Sequence, residues 1–193
     1  MKALWVLLGV LGLVVLVALF AGGSYVSAQR EMVQKSADVD RSFSDIDTDL
    51  QRRADLIPNL VATVKGYANV EETVLTNIAN ARAGLMTAQT PNEKLAANDR
   101  LNVAVLPLLR MQENYPQLKS NDQFMRLEDE LAGTENRIAV ARRRYNAAIE
   151  DYNVFIQQFP NSVWAGMAGF HIKSGYYAAD EGSKTAPKVD FSK

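Results

Sequence analysis

The sequence predicts an all-α protein, with an N-terminal transmembrane helix followed by an elongated antiparallel helical bundle with long helices. A charge-free apolar run near the N-terminus is the first basis for this prediction. The second is a pair of long ladders in which apolar residues recur at alternating steps of three and four, as they do in amphipathic helices that pack in bundles. The alternating pattern of a half-buried strand does not appear in the 193 residues.

The apolar run extends over residues 3–23, between Lys2 and the next charge at Arg30. A helix needs roughly 20 residues to cross the hydrocarbon core of a bilayer, so this run is long enough. A cleavable signal peptide is the alternative, because the small residues before Gln29 offer a cleavage site. Signal-peptide cores run to about 7–15 residues, and the greater length favours a retained anchor. We therefore assign residues 1–23 to a transmembrane anchor.

The first ladder passes through the segment QRRADLIPNLVATVKGYA at residues 51–68, and Arg53 is its single polar member. Its period predicts one amphipathic helix with a narrow apolar seam. The members are Val39, Phe43, Ile46, Leu50, Arg53, Ile57, Leu60, Val64 and Tyr67.

Pro58 interrupts this pattern without changing its phase. A proline lacks an N–H and crowds the carbonyl four residues earlier, here that of Ala54, so it bends a helix or lies in its first turn. In the second reading Asp55 is the N-cap. We predict a bend between Ala54 and Pro58, with Asn59 bonding to free backbone groups there and Gly66 marking the helix end.

Arg52 and Arg53 have two readings. They could bind an anion or a partner's loop, or they could pair with acidic residues of a neighbouring helix, such as Glu113 or Glu135. Charges beside the seam of a bundle commonly set register and partner choice, which favours the pairing. The segment around Pro58 is thus predicted to fix a bend and its capping charges.

The second ladder begins after Ser120 or Asn121 as cap and stops at Pro160. Its members are Phe124, Leu127, Leu131, Thr134, Ile138, Ala141, Tyr145, Ala148, Tyr152, Phe155 and Phe159. Two shorter helices are predicted between the ladders, one capped by Asn69 with Glu72 and one by a Thr90–Glu93 capping box. Tyr115-Pro116 closes the latter helix. The bundle is assigned to residues 24–175, and residues 176–193 to a loosely ordered tail.

Enzyme signatures are missing from the sequence. The chain has no cysteine and one histidine, which excludes disulfides, zinc–thiolate sites and paired-histidine metal motifs. No phosphate-binding loop or nucleophile motif occurs, and we expect His171 to be a surface or packing residue. The formal charge of −1 gives no indication of nucleic-acid binding. We expect no catalytic residue, metal or cofactor.

Two further features could form a surface for lipid or for a partner protein. Arg142-Arg143-Arg144 could meet anionic lipid, but a helix spreads three successive residues around its axis, so Arg143 and Arg144 are expected to be solvated. An aromatic edge formed by Tyr145, Tyr152, Phe155 and Trp164 could supply a partner surface.

Three stretches make the chain resemble the LemA family over about residues 25–175: QRRADLIPNLVATVKGYA, ENYPQLKSNDQFMRLEDEL and ENRIAVARRRYNAAIEDYNVFIQQFP. The resemblance implies a membrane-anchored all-α domain without a defined molecular role. Some similar proteins carry a lipobox cysteine where this chain has AGGSYVS, and similar proteins are often encoded near a membrane metalloprotease. A similar domain occurs in a magnetosome-membrane protein. The candidate structural-motif residues are Arg52, Arg53, Asp55, Pro58, Asn59, Gly66, Tyr115, Pro116, Tyr145, Asn146 and Pro160.

These observations predict a non-enzymatic, membrane-anchored scaffold or interaction module; the alternative is an oligomeric membrane-shaping protein that imposes curvature. The expected partners are the lipid bilayer and either a second copy of the chain or another membrane protein, a membrane protease among them. We expect a single pass through a bacterial inner membrane. Arg30, Lys35 and Arg41 favour a cytoplasmic bundle, whereas the charged start and the lipobox of similar proteins favour a periplasmic one, which is the side we expect.

Overall fold

The computed structural model describes residues 2–175, and helices account for most of them. The helices are α1 (Lys2–Lys65), α2 (Glu72–Thr87), α3 (Pro91–Arg110), α4 (Pro116–Lys119), α5 (Asp122–Gln157) and α6 (Asn161–Ala168), with a 3₁₀ turn at Met111–Glu113. No strand occurs within residues 2–175, so the predicted all-α class is confirmed. The predicted tail, residues 176–193, lies outside the described residues.

The described chain divides into two compact units. The terminal unit combines the residues up to Arg41 with Ala147–Ser174, and the central unit contains Ser42–Asn146. The sequence analysis assigned residues 24–175 to one bundle. Both apolar ladders continue through this division with unchanged spacing, so the pattern alone does not mark it.

In the N-terminal part of α1, the described side chains from Leu4 to Phe20 are apolar and exposed. The exposed side chains include Leu4, Leu11 and Phe20, and this stretch is long and apolar enough to cross a membrane. It fits the predicted single-pass anchor. Farther along α1 the helix becomes covered, and Met32 and Val39 are buried in the terminal unit.

In the central unit α1 packs antiparallel to α5. The ring of Phe43 lies 5.9 Å from that of Tyr145, and Arg137 Nε lies 2.9 Å from Asp49 Oδ1. The seam between them is the predicted one, since most ladder residues are buried. These are Ile46, Leu50, Arg53, Ile57, Leu60 and Val64 on α1, and Phe124, Leu127, Leu131, Thr134, Ile138, Ala141 and Tyr145 on α5.

The remaining helices of the central unit begin at capping residues. Thr90 and Glu93 form the predicted capping box at the start of α3, with Pro91 in its first turn. Asn121 Oδ1 accepts a hydrogen bond from Phe124 N at 2.9 Å and caps α5, as predicted. The predicted Asn69–Glu72 pair is wrong, because α2 begins at Glu72 and Glu71 occupies the N-cap position without a side-chain bond.

The ladders fail at their ends. Phe159 is 84% exposed, although the spacing placed it in the seam. The reason is that α5 stops at Gln157, so the helical period no longer governs where Phe159 lies. Tyr67 is likewise 43% exposed, two residues after the last residue of α1.

Candidate functional site around the arginine and proline of α1

Pro58 lies inside α1, which continues to Lys65. Because Pro58 has no N–H, the carbonyl of Ala54 cannot make its ordinary bond within the helix. Arg82 of α2 replaces that donor, with Nε 2.8 Å from Ala54 O. Ala54 is fully buried, so water cannot reach this carbonyl. A side chain from another helix therefore satisfies the backbone group that the proline leaves free.

Asp55 has a different structural role from the predicted one. It cannot be an N-cap, because α1 does not begin there. Its carboxylate instead accepts bonds from Gln51 Nε2 at 3.1 and 3.3 Å and lies 3.9 Å from Arg82 Nη2. Asp55 thus lies beside the Arg82 guanidinium, which bonds to the carbonyl that Pro58 leaves free.

The predictions for Asn59 and Gly66 are each correct only in part. Arg82, and not Asn59, makes the bond to the free carbonyl, while Asn59 is exposed and its own carbonyl accepts from Thr63 Oγ1 at 2.8 Å. Gly66 directly follows the last residue of α1, as predicted. It needs no left-handed conformation, since the described glycines with positive φ are Gly169 and Gly175.

Arg53 enters the seam and pairs with Glu135 of α5. The side chain of Arg53 is 10% exposed, and its Nη1 donates to Glu135 Oε2, which confirms that predicted pairing. Asn102 Nδ2 of α3 donates to the same oxygen at 3.3 Å. Burial lowers the pKa of Arg53, whereas the nearby charge of Glu135 opposes that shift.

Further polar atoms are buried at α1 and α3 without a hydrogen-bond partner among the described residues. They are Arg53 Nε, Asn102 Oδ1 and both amide atoms of Asn98, which is fully buried. Arg53 and Thr134 likewise interrupt the apolar ladders. The arrangement offers an ion pair and amides but no nucleophile. Buried ion pairs and polar groups can disfavour shifted packings, and this arrangement is suited to that structural role.

The terminal unit contains a second polar arrangement. Asn153 of α5 is buried, and its amide bonds to both backbone groups of Lys173, with Nδ2–O and N–Oδ1 distances of 2.9 Å. Lys173 Nζ lies 2.8 Å from Asp40 Oδ1 of α1, and Tyr152 donates its hydroxyl to the carbonyl of His171 at 3.0 Å. Burial and, to a lesser extent, Asp40 raise the pKa of Tyr152.

With this geometry in place, the chain can be compared with known proteins. The family model described as "LemA family" matches residues 42–191, most of the chain. The chain belongs to the LemA family. No curated protein matches it.

The other LemA motif residues serve local structure. Tyr115 precedes α4, Pro116 opens it, and the Tyr115 carbonyl accepts from Leu118 N at 2.9 Å. Pro160 follows the end of α5, as predicted, and immediately precedes α6. Arg52 is exposed and lies 3.9 Å from Glu130, while Asn146 is half-buried on α5.

The predicted aromatic edge is wrong for two of its four members in this LemA chain. Tyr145 and Tyr152 are buried because they belong to the same apolar ladder of α5, so they cannot present a surface to a partner. Phe155 and Trp164 are half-buried. Arg143 and Arg144 are exposed, as predicted. Within residues 2–175 no group of three or more acidic or histidine side chains is placed to hold a metal ion.

Proposed function

We propose that this LemA-family protein is a non-enzymatic, membrane-anchored interaction module that acts as a scaffold. The observation that carries the proposal is the continuity of α1. The same helix supplies an exposed apolar stretch long enough to span a bilayer and, farther along, residues that are buried in both units. A protein held at the membrane by its own longest helix is suited to keeping a partner there.

The contacts of Arg53 and Arg82 weigh against a catalytic role for these two arginines. Arg53 is engaged by Glu135, and Arg82 by the carbonyl of Ala54. Groups that hold the bundle in register are not available to bind or transform a substrate. The surface left to a partner includes exposed apolar side chains of α3, among them Leu106 and Val103, and Val103 lines a groove between α2 and α3. The partner is a second copy of the chain or another membrane protein.

Carbonate extraction of membranes from cells that produce the full chain tests the anchor. The parent should remain in the membrane pellet. Arginine at both Leu11 and Val14 should release it, because each arginine at the centre of a spanning helix costs about 2.5–3.5 kcal/mol on insertion scales. The apolar replacement Leu11→Ile is the matched control. A parent recovered in solution as a form beginning at Gln29 would show a cleaved signal peptide and contradict the anchor.

A photo-crosslinking amino acid at Val103, introduced into the full chain in native membranes, tests the interaction module. We expect a specific adduct with another membrane protein or with the chain itself, and no comparable adduct when the amino acid replaces the exposed Arg143. Electron microscopy of the same cells should show ordinary membranes. Curved or tubulated membranes together with self-adducts alone would favour the membrane-shaping alternative.

We also propose that the units lie on the periplasmic side. The charged start of the chain supports export, and long domains can cross a membrane despite modest flanking charge. Protease added to spheroplasts should then digest the helical units while the membrane is intact. Digestion that requires lysis would place them in the cytoplasm.

A further inference from the structure

We propose that α6 and its flanking residues form a second membrane contact, which lies in the head-group layer of the bilayer that α1 crosses. This contact, the interfacial segment, comprises residues 159–172. The inference rests on the proposed anchor and adds to it a lipid-binding surface within the folded terminal unit. Its occupant is the bilayer surface.

The interfacial segment turns apolar side chains outward. Val163 and Met167 of α6 are one helical turn apart and both are exposed. The flanking Phe159 and Ile172 are also exposed, with 84% exposure at Phe159 and 71% at Met167. The segment reads FPNSVWAGMAGFHI and contains no aspartate, glutamate, lysine or arginine. Several large exposed apolar side chains in one uncharged segment indicate contact with protein or lipid.

The position of the segment identifies lipid. Trp164 contacts Tyr25 of α1 edge to face, with ring centroids 5.6 Å apart. Tyr25 lies two residues beyond the apolar run that ends at Gly23, or about 3 Å along the helix axis. Tryptophan and tyrosine rings concentrate at this level of a bilayer, between hydrocarbon and water. If α1 crosses the membrane, head groups surround it where the interfacial segment packs.

The covered part of α1 agrees with this placement. The described side chains up to Phe20 are exposed, as a lipid-facing helix requires, whereas Ala21, Ser24 and Tyr25 are partly covered. Charged residues resume at Arg30, and Lys35 pairs with Asp151 at 2.6 Å. The apolar surface is therefore adjacent to the end of the span, and the charged side chains of α1 follow it along the helix.

The outward orientation is fixed by bonds within the terminal unit. Gly169 ends α6 with a φ of 77°, and Phe170 N bonds to Ala165 O at 3.0 Å. Beyond this turn, Tyr152 and Asn153 hold the backbone of His171 and Lys173. The segment after α6 is therefore bonded to α5, which holds Val163 and Met167 in their exposed orientation. A short helix that lies in the interface binds by burying its apolar side chains among the head groups.

Single-cysteine labelling tests the contact, because the chain has no native cysteine. The full chain carries an environment-sensitive fluorophore at Met167→Cys and is reconstituted in phosphatidylcholine–phosphatidylglycerol vesicles with nitroxide-bearing lipids. The matched control is Met125→Cys, another exposed methionine on a helix. We expect blue-shifted emission at 167 and several-fold stronger quenching by shallow lipid nitroxides than at 125. Equal behaviour at the two positions would overturn the proposal.

A third label separates this inference from the anchor. Leu13→Cys should be quenched by deep lipid nitroxides. A label at 13 that remains in water refutes the anchor, whereas a buried label at 13 with an aqueous label at 167 refutes the interfacial contact alone. A label at 167 that is shielded from both lipid-borne and aqueous quenchers would show a protein cover, which also overturns the proposal.

A disruptive variant provides the second measurement. In the full chain labelled at Ile172→Cys, glutamate at both Val163 and Met167 should abolish most lipid quenching at 172 and leave the helical circular dichroism unchanged. Threonine at the same two positions keeps them neutral, so it should retain more of the quenching. Undiminished quenching in the glutamate variant would refute the role of these side chains.

Discussion

Replacing Arg82 with methionine removes the donor that serves the Ala54 carbonyl and keeps a side chain of similar length. The carbonyl is buried and has no N–H available from Pro58. A buried acceptor left unpaired costs about 1–3 kcal/mol. The side chain of Arg82 is 38% exposed, so in the variant some water can approach the Ala54 carbonyl from that side. We therefore expect the free energy of unfolding to fall by about 2 kcal/mol, in the middle of that range.

The decisive comparison repeats the change in a Pro58→Ala background. Alanine restores an N–H at position 58, so the helix can satisfy Ala54 and Arg82 becomes dispensable. In that background Arg82→Met should cost only about 0.5 kcal/mol, as surface substitutions do. The difference between backgrounds, about 1.5 kcal/mol, is a coupling of ordinary size for groups in contact.

Urea unfolding of the purified full chain in mild detergent, followed by circular dichroism, measures the four free energies of this cycle. Arg143→Met serves as the control for loss of an exposed arginine, and Asp55→Asn isolates the 3.9 Å contact with Arg82. Equal costs of Arg82→Met in both backgrounds would refute the assignment of Arg82 to the free carbonyl.

Three other changes are expected to be informative in the same unfolding assay. Glu135→Leu leaves Arg53 buried without its carboxylate and should cost about 3 kcal/mol, most of which a second change, Arg53→Met, should restore; an undiminished loss in the double variant would contradict the pairing. The backbone N–H groups of Gln89 and Thr90 lower the pKa of Glu93 below its ordinary 4.5. The resulting stabilisation is present above that value and lost as the pH falls through the folded-state pKa, so the parent and Glu93→Gln should converge in stability in acid, and a constant difference would refute this. Ile57→Asp places a charge at a fully buried position and should cost several kcal/mol; parental stability would refute the seam.

The apolar seams could be predicted because burial along a helix repeats with its turn. Ile46, Leu50 and Leu60 are buried where the ladder placed them. The same rule fails at Phe159, since a period has meaning only while the helix continues. It also gives no position for the division into two units, because the residues on both sides keep the same spacing.

The polar contacts divide according to what they bond. Arg53–Glu135 joins two side chains, and an arginine on an apolar ladder already indicates an acidic partner. Arg82 and Asn153 bond to backbone atoms of distant segments, which hydrophobic patterning does not encode. Arg82 could have been found by asking which residue on the face of Ile78 and Leu85 donates to the carbonyl before Pro58. Lys173 lies in an irregular segment and gives no comparable signal.

The composition of the terminal unit has a consequence for the order in which the chain folds. Its contacts join the first and last described parts of the chain, with Lys173 bonding to Ser36 and Asp40 across more than 130 residues. Apart from Gly175, the described part of the central unit is the contiguous stretch Ser42–Asn146, which has been synthesised once residue 146 is added. At 5–20 residues per second, about 1–6 s of further synthesis separate that point from residue 174. During that interval Met32 and Val39 lack the second part of the terminal unit, residues 147–174. A chain whose synthesis stalls between residues 146 and 174 therefore exposes the apolar face of α1 to chaperones and proteases.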